Sequence, residues 1–279
     1  GAAVTGVDLS QPLDDATQAA LHTSWMEHLV LIFPGQAISD AQHIAFGRRF
    51  GALEIHPSLA HRASNHREIY RVSNVDEAGV IIPPQDNAWQ YLNLSWLWHT
   101  DSSFREVPSK GSILHGIETT TAGGNTLFAN MYAAYDALSD EMKARLAGLF
   151  VIHDHDFILK QSPGLSAKQD KGRYDKLPPV RHPLVQVHPV TGRRSLFLSP
   201  HTMDHIDGMP AAESRALLDS LTAHATQPAF VYRHVWADDD VIMWDNRCTM
   251  HSVEPFDNAA VRRIMHRVTL VGEAPPIAA

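Results

Sequence analysis

The 279-residue chain has a single cysteine, Cys248, which excludes an intrachain disulfide. A lone thiol fits a reducing compartment, the cytosol. Free cysteines are commonly buried, so Cys248 reads as an interior bystander and not as a nucleophile. Positive charge is also short: 23 Lys and Arg stand against 31 Asp and Glu, a formal net charge of −8. Nucleic acid and anionic membrane surfaces are therefore poor partners, and an anionic small molecule must be held by local cations. No apolar run is long enough to span a bilayer, and no signal-peptide pattern is present. Internal repeats, low-complexity tracts and a convincing linker are missing too, which leaves one domain over residues 1–279. The chain opens at Gly1 inside a strand signal around Val4 and Val7, as though residues precede it. With 44% hydrophobic and 19% charged residues, the composition is that of an ordinary globular protein.

Histidine is plentiful, at 18 residues, so context must decide which ones matter. The most informative context is His99-Thr100-Asp101. On an extended strand, residues two apart face the same way, so this imidazole and carboxylate converge. Together they supply two corners of the 2-His-1-carboxylate triad that holds non-haem Fe(II) and leaves positions open for co-substrate and oxygen. His251, 251 − 99 = 152 residues downstream, is the candidate third ligand. Beyond it, residues 262–271 read as a strand. Arg263 and Arg267 would share one face there, about 13 Å apart at ~3.3 Å per residue. A solvated edge strand would explain such a pair. So would two anionic ligands in a pocket, since a planar guanidinium fork matches a carboxylate.

The remaining elements follow from periodicity and caps. Apolar spacing through Leu21 and Trp25 predicts a helix over 14–28, followed by a short strand over 29–33. Ser39 and Gln42 form a capping-box pattern for a helix ending near Gly51. Strands are expected over 68–73, 112–117, 150–153, 230–236 and 241–244. A hairpin joins 184–188 to 194–199, and Gly123-Gly124 turns the chain beside Thr126. Two short helices fall within 131–148, the second capped by Ser139, and a longer helix runs from Pro210, at its first position, to His224. Residues 76–97 form a long irregular stretch, either a lid or an ordinary loop. Residues 160–179 are polar, punctuated by Pro and Gly, and read as a mobile insert. Pattern alone suggests an α+β chain. Ligands on strands so far apart suit a jelly-roll core with flanking helices.

His-x-Asp, a distant His and an Arg a dozen residues later resemble the Fe(II)/2-oxoglutarate dioxygenases, specifically the taurine and 2,4-dichlorophenoxyacetate dioxygenase group. The supporting stretches are Trp98 to Phe104, Thr121 to Thr126, Trp244 to Cys248 and Arg262 to Arg267, joined by Gly6 to Leu9 and Phe33 to Gln36. They span nearly the whole chain. The resemblance implies a mainly β fold with flanking helices and a double-stranded β-helix (jelly-roll) core. It implies His99, Asp101 and His251 as iron ligands, with 2-oxoglutarate and O2 as co-substrates. Thr126 and Arg263 would hold the far carboxylate of 2-oxoglutarate. Arg267 would meet the anionic group of the substrate, and Arg262 would point to the opposite face.

Two further assignments, His56 and Phe104, carry alternatives. His56, before Pro57, resembles a substrate-binding His but also a capped loop residue. Phe104 reads either as a substrate-packing aromatic or as core. Ser95 stands where the taurine enzyme has an Asn that holds the ammonium. Asp245 and Asn246 are expected behind His251, because metal-bound imidazoles need hydrogen-bonding partners. His115, His153 and His155 are read as structural. The expected reaction hydroxylates an aryloxyalkanoate-like carboxylate beside its ether oxygen, giving a phenol, an oxo-acid, succinate and CO2. Taurine, alkylsulfonate or alkyl sulfate oxidation is the alternative, and a metal-binding jelly-roll protein without turnover is the non-enzymatic one. A cytoplasmic homo-oligomer acting on a small anionic substrate is expected, with no nucleic acid or membrane partner.

Overall fold

The computed structural model describes residues 1–55, 62–86, 89, 92–161 and 177–279. Two sheets face each other. The larger has six strands in the order Ala2–Ala3, Val30–Phe33, Val241–Asp245, Gly111–Glu118, Ile264–Leu270 and Tyr70–Arg71. The smaller places Thr126–Asn130 between Val231–His234 and Thr249–Val253. Alternation sorts the side chains of the large sheet between two cores. Ile32, Leu114, Ile242, Trp244 and Met265 turn inward to meet Phe128 of the small sheet. Leu31, Phe33, Ile113, Met243 and Val268 turn outward under the two N-terminal helices. Because both faces are covered, the central strands are apolar runs without polar alternation, as in Val30-Leu31-Ile32-Phe33. This is the expected jelly-roll core with flanking helices.

The helices close the outer face for local reasons. Asp14 caps Asp15–His28 by accepting from the Thr17 amide at 2.6 Å. Ser39 and Gln42 form the reciprocal capping box of Asp40–Arg48. These helices bring Trp25, Ile44 and Phe46 onto the sheet. Each such side chain, fully buried, is worth about 1.5–3 kcal/mol. A third core gathers Leu217, Leu218 and Leu221 of the helix Ala211–Ala225 against Leu184, Leu196 and Met203.

Several expected boundaries move. Pro210 is the N-cap of its helix, not its first residue: its ψ of 138° is extended, and its carbonyl accepts from the Ser214 amide. The strand expected over 68–73 shrinks to Tyr70–Arg71. The strands Thr126–Asn130 and Thr249–Val253 were not expected. Of the insert at 160–179, residues 162–176 lie outside the described residues, as do 87, 88, 90 and 91 of the stretch 76–97. The described part of that stretch bridges back to Val75 through Ile81 and contains a 3-10 turn at Leu94–Trp96. Among the described residues, no helix is long and apolar enough to cross a membrane.

Candidate metal centre and its two arginines

His99 and His251 are brought directly opposite each other by an antiparallel bridge, with amide-to-carbonyl distances of 2.9 and 2.8 Å in the two directions. Their ring centroids lie 4.1 Å apart. The strand expected for His-x-Asp is not there. His99 forms only this bridge, and the chain then enters a turn with Ser102 at φ 56°. Thr100 fixes the turn, its hydroxyl donating to the Leu198 carbonyl at 2.9 Å while its amide donates to Ser199 Oγ at 3.2 Å. Asp101 thereby comes under both imidazoles, Oδ1 at 4.0 Å from His99 Nε2 and Oδ2 at 3.9 Å from His251 Nε2. All three residues are buried, and one ligand atom from each lies within 4.8 Å of the others.

The protonation states suit a cation. His99 Nδ1 donates to the Leu97 carbonyl at 2.8 Å, so its Nε2 carries the lone pair. Burial lowers the pKa of both imidazoles, which keeps them neutral. Burial alone would raise the Asp101 carboxyl. The charge of Arg267, helped by the hydrogen bond from Ser112, overrides it, so Asp101 is held well below the usual carboxylate range. Two neutral nitrogens and one carboxylate on buried, pre-aimed side chains fit a divalent transition metal.

Asn246 does not sit behind His251. Its amide accepts from Trp244 Nε1 at 2.8 Å and donates to Ser112 Oγ at 3.3 Å, and Ser112 donates to Asp101 Oδ2 at 2.7 Å. Asn246 therefore orients the Asp101 carboxylate through Ser112. Asp245 does not reach His251 either. It takes a bidentate grip from Arg247 at 2.9 and 2.6 Å and a bond from His188 Nε2 at 3.1 Å. His188, Asp245 and Cys248 also cluster within ligand reach of one another. However, His188 Nδ1 already accepts from the Val190 and Thr191 amides, and both Asp245 oxygens are taken. This second cluster is a structural network. Cys248 is buried in it, its thiol pushed up by burial and by Asp245.

The two arginines share the inner face of Ile264–Leu270 and its N-terminal approach, together with Met265, whereas His266 faces outward to Asp40 at 2.7 Å. Arg262 also lies outside, held by Glu118 at 2.8 Å. Arg263 is buried. Its Nε donates to the Gly124 carbonyl at 3.1 Å, while one terminal nitrogen has no hydrogen-bond partner. Burial lowers its pKa to about 10, still charged at neutral pH. A buried guanidinium without a carboxylate is costly unless a ligand supplies one, and Arg263 lines a small cavity with Asn74, Ser95 and Phe256. Gly124, at φ 68°, allows this approach: a Cβ there would stand 3.3 Å from Arg263 Nε and 2.5 Å from Thr120. Thr126 is buried with its oxygen accepting from Trp236 Nε1 at 3.0 Å, and the wall around Arg263 is made by other residues.

Arg267 reaches the metal group instead, donating from Nη1 to Asp101 Oδ1 at 2.7 Å beneath the Tyr70 ring. The larger cavity over the triad is lined by Arg267, Tyr70, Phe104, Ser95, Leu94 and His155, among others. It shares Val72, Leu92 and Ser95 with the Arg263 cavity, so the two chambers adjoin. Phe104 lies in this wall, edge-on to His155 at 4.7 Å. His155, read as structural, is thus a cavity residue. His115 and His153 do stay outside the metal group, bonded to Asp239 at 3.3 Å and Thr202 at 2.9 Å. Ser95 donates to the Leu92 carbonyl at 2.6 Å. His56 lies outside the described residues. Ser112, Glu54 and His201 went unnoticed in the sequence, because a Ser on a buried strand or a Glu between irregular segments carries no local signal.

Comparison with known proteins places this geometry. Residues 1–269 match the family described as "Taurine catabolism dioxygenase TauD, TfdA family". The chain is 38% identical to the (S)-phenoxypropionate/alpha-ketoglutarate-dioxygenase of Sphingobium herbicidovorans, covering 98% of this chain and 92% of that protein. It is 36% identical to the alpha-ketoglutarate-dependent 2,4-dichlorophenoxyacetate dioxygenase of Cupriavidus pinatubonensis, covering 98% and 95%. Among solved structures, AAD-2 in complex with Mn(II) and N-oxalylglycine aligns with a TM-score of 0.89 at 36% identity, over 99% of this chain and 95% of that one.

Proposed function

This chain belongs to the TauD/TfdA dioxygenase family, and from that premise we propose that it is an Fe(II)- and 2-oxoglutarate-dependent dioxygenase that hydroxylates an aryloxyalkanoate-like carboxylate beside its ether oxygen. Iron, 2-oxoglutarate and O2 together supply the C–H oxidation, with succinate and CO2 as co-products. The chain's own residues aim it. His99, Asp101 and His251 would hold the metal, and Ser112 would keep Asp101 turned toward it. The observation that carries this reading is Arg263, a buried cation with a free donor one wall away from the triad. It would receive the far carboxylate of 2-oxoglutarate, with the Thr126 hydroxyl as the family resemblance suggests. Arg267, beside Asp101 and in the larger cavity, would receive the substrate's carboxylate. Phe104, Leu94 and Leu92 would pack the aryl ring and keep water from the reacting carbon. The stretch 76–97 would close over the substrate as a lid.

The hydroxylated product is a hemiacetal. It breaks its carbon–oxygen bond, passes the hydroxyl proton to the leaving phenolate and leaves a phenol and an oxo-acid, glyoxylate from phenoxyacetate. Incubation with phenoxyacetate and taurine side by side tests the assignment. Phenol release supports it, and sulfite release without phenol overturns the choice of substrate.

A further inference from the structure

The cavity over the triad contains a second carboxylate that the proposed reaction does not use. Glu54 lines it together with Arg267, Asp101 and Arg105. Its side chain is only 12% exposed and pairs with Arg105 at 3.0 Å. The segment is pinned to the strand that carries Arg267: the Glu54 amide donates to the Thr269 carbonyl at 2.8 Å, and Leu53 bridges Leu270. Burial pushes the Glu54 carboxyl up, while the charges of Arg105 and Arg267 pull it back. Both cations therefore act on it.

Among the described residues, the charges of this wall balance in pairs, two carboxylates against two guanidiniums. Arg105 pairs with Glu54 and Arg267 with Asp101. His201, also in the wall, is kept neutral by burial and by the imidazoles of His99 and His155. A dication held by the triad would have one charge met by Asp101 and the other by the metal-side carboxylate of 2-oxoglutarate, whose far carboxylate goes to Arg263, and Arg267 is left with one positive charge to offer. A ligand head with one negative charge completes the balance. A second negative charge would face Glu54 with no cation left to answer it among the described residues, in a cavity where water screens poorly.

We propose that Glu54, locked on Arg105, is a specificity-determining residue that restricts this cavity to monoanionic head groups and rejects dianions. The inference rests on the assignment of Arg267 to the substrate's anion. It excludes by repulsion what contacts to Arg267 alone would favour. It also predicts a sign. Beside an arginine and a metal centre, a dianion ordinarily binds more tightly than a monoanion, and here it binds more weakly.

The test is isothermal titration of the Fe(II)- and 2-oxoglutarate-loaded enzyme, kept free of oxygen, at pH 8. Phenyl sulfate and phenyl phosphate share a shape, but the phosphate is close to a dianion there because its second pKa is about 6. We expect phenyl sulfate to bind roughly tenfold or more tightly than phenyl phosphate, and Glu54→Gln to bring the two within about threefold by removing that repulsion. Phenyl phosphate binding as tightly as phenyl sulfate to the unaltered enzyme overturns the proposal without any variant. An unchanged ratio in folded Glu54→Gln also overturns it, as does failure of both esters to bind, since shape would then do the excluding. Phenoxyacetate, titrated alongside, reports separately on the substrate assignment: its failure to bind sinks that assignment, while the ratio of the two esters still decides the role of Glu54.

Discussion

Arg263 stands buried with one terminal nitrogen unpartnered, and no carboxylate pairs with it among the described residues. Its burial makes no sense as a contribution to stability, because an unpaired charge in the interior is a cost. Arg263→Met should therefore leave the melting temperature of the ligand-free protein unchanged or raise it. The same substitution should raise the KM for 2-oxoglutarate roughly a hundredfold or more, through loss of a charge-assisted bidentate contact. Thermal melting with and without 2-oxoglutarate checks both halves, since the variant should also lose stabilisation by the co-substrate. A large drop in melting temperature of the ligand-free variant would mean that Arg263 is structural. Asp245 is the opposite case, a buried charge fully answered. Burial alone would raise its carboxyl, but Arg247 and then His188 hold it down at about 2. A depressed carboxyl adds stability above its unfolded value near 4 and loses it as pH falls through the folded value. We expect this group to account for about 2 kcal/mol lost between pH 4 and pH 2. Asp245→Asn should flatten that part of the acid unfolding curve while lowering stability at pH 7, because Arg247 is left unpaired.

Among the elements, the strand Gly111–Glu118 has the least room for change. A Cβ at Gly111 would stand 2.6 Å from Cζ2 of Trp25 and 2.8 Å from the Trp244 carbonyl, and neither the helix nor the neighbouring strand can retreat easily. Gly111→Ala should cost about 1–3 kcal/mol by overpacking, read as a lower denaturant midpoint at unchanged slope. This element was legible in the sequence, as were the helices capped by Asp14 and Ser39, because apolar runs and caps are local signals. The strand carrying His251 was not. Thr249-Met250-His251-Ser252-Val253 is buried throughout although three of its five residues are polar, since its side chains serve the candidate metal group and the hydrogen bonds around it. The His-x-Asp segment misled in another way. Spacing by two suggested a strand, whereas a bridge and a turn bring the groups together. The convergence was readable, but its backbone was not.

For the whole molecule, the jelly roll explains how groups 152 residues apart in sequence become neighbours. His251 faces His99 across the bridge, while Arg267 comes in from the opposite sheet, whose strand Ile264–Leu270 pairs with the one bearing Ser112. Family membership follows the same ordered motifs over residues 1–269. That His99, Asp101, His251 and Arg267 come together could be anticipated from sequence because their spacing is tied to that topology. The partners behind Asp101 and the pairing of Glu54 could not, since they depend on contacts between distant segments. The central claim is that one iron centre couples 2-oxoglutarate turnover to oxidation of an aryloxyalkanoate. Its most direct test is to load the enzyme with Fe(II), 2-oxoglutarate and phenoxyacetate without oxygen, admit a limited amount of O2, and quantify succinate and phenol together. We expect equal amounts of the two, and neither from Asp101→Ala. Phenol without succinate, or undiminished yields from Asp101→Ala, would contradict the claim.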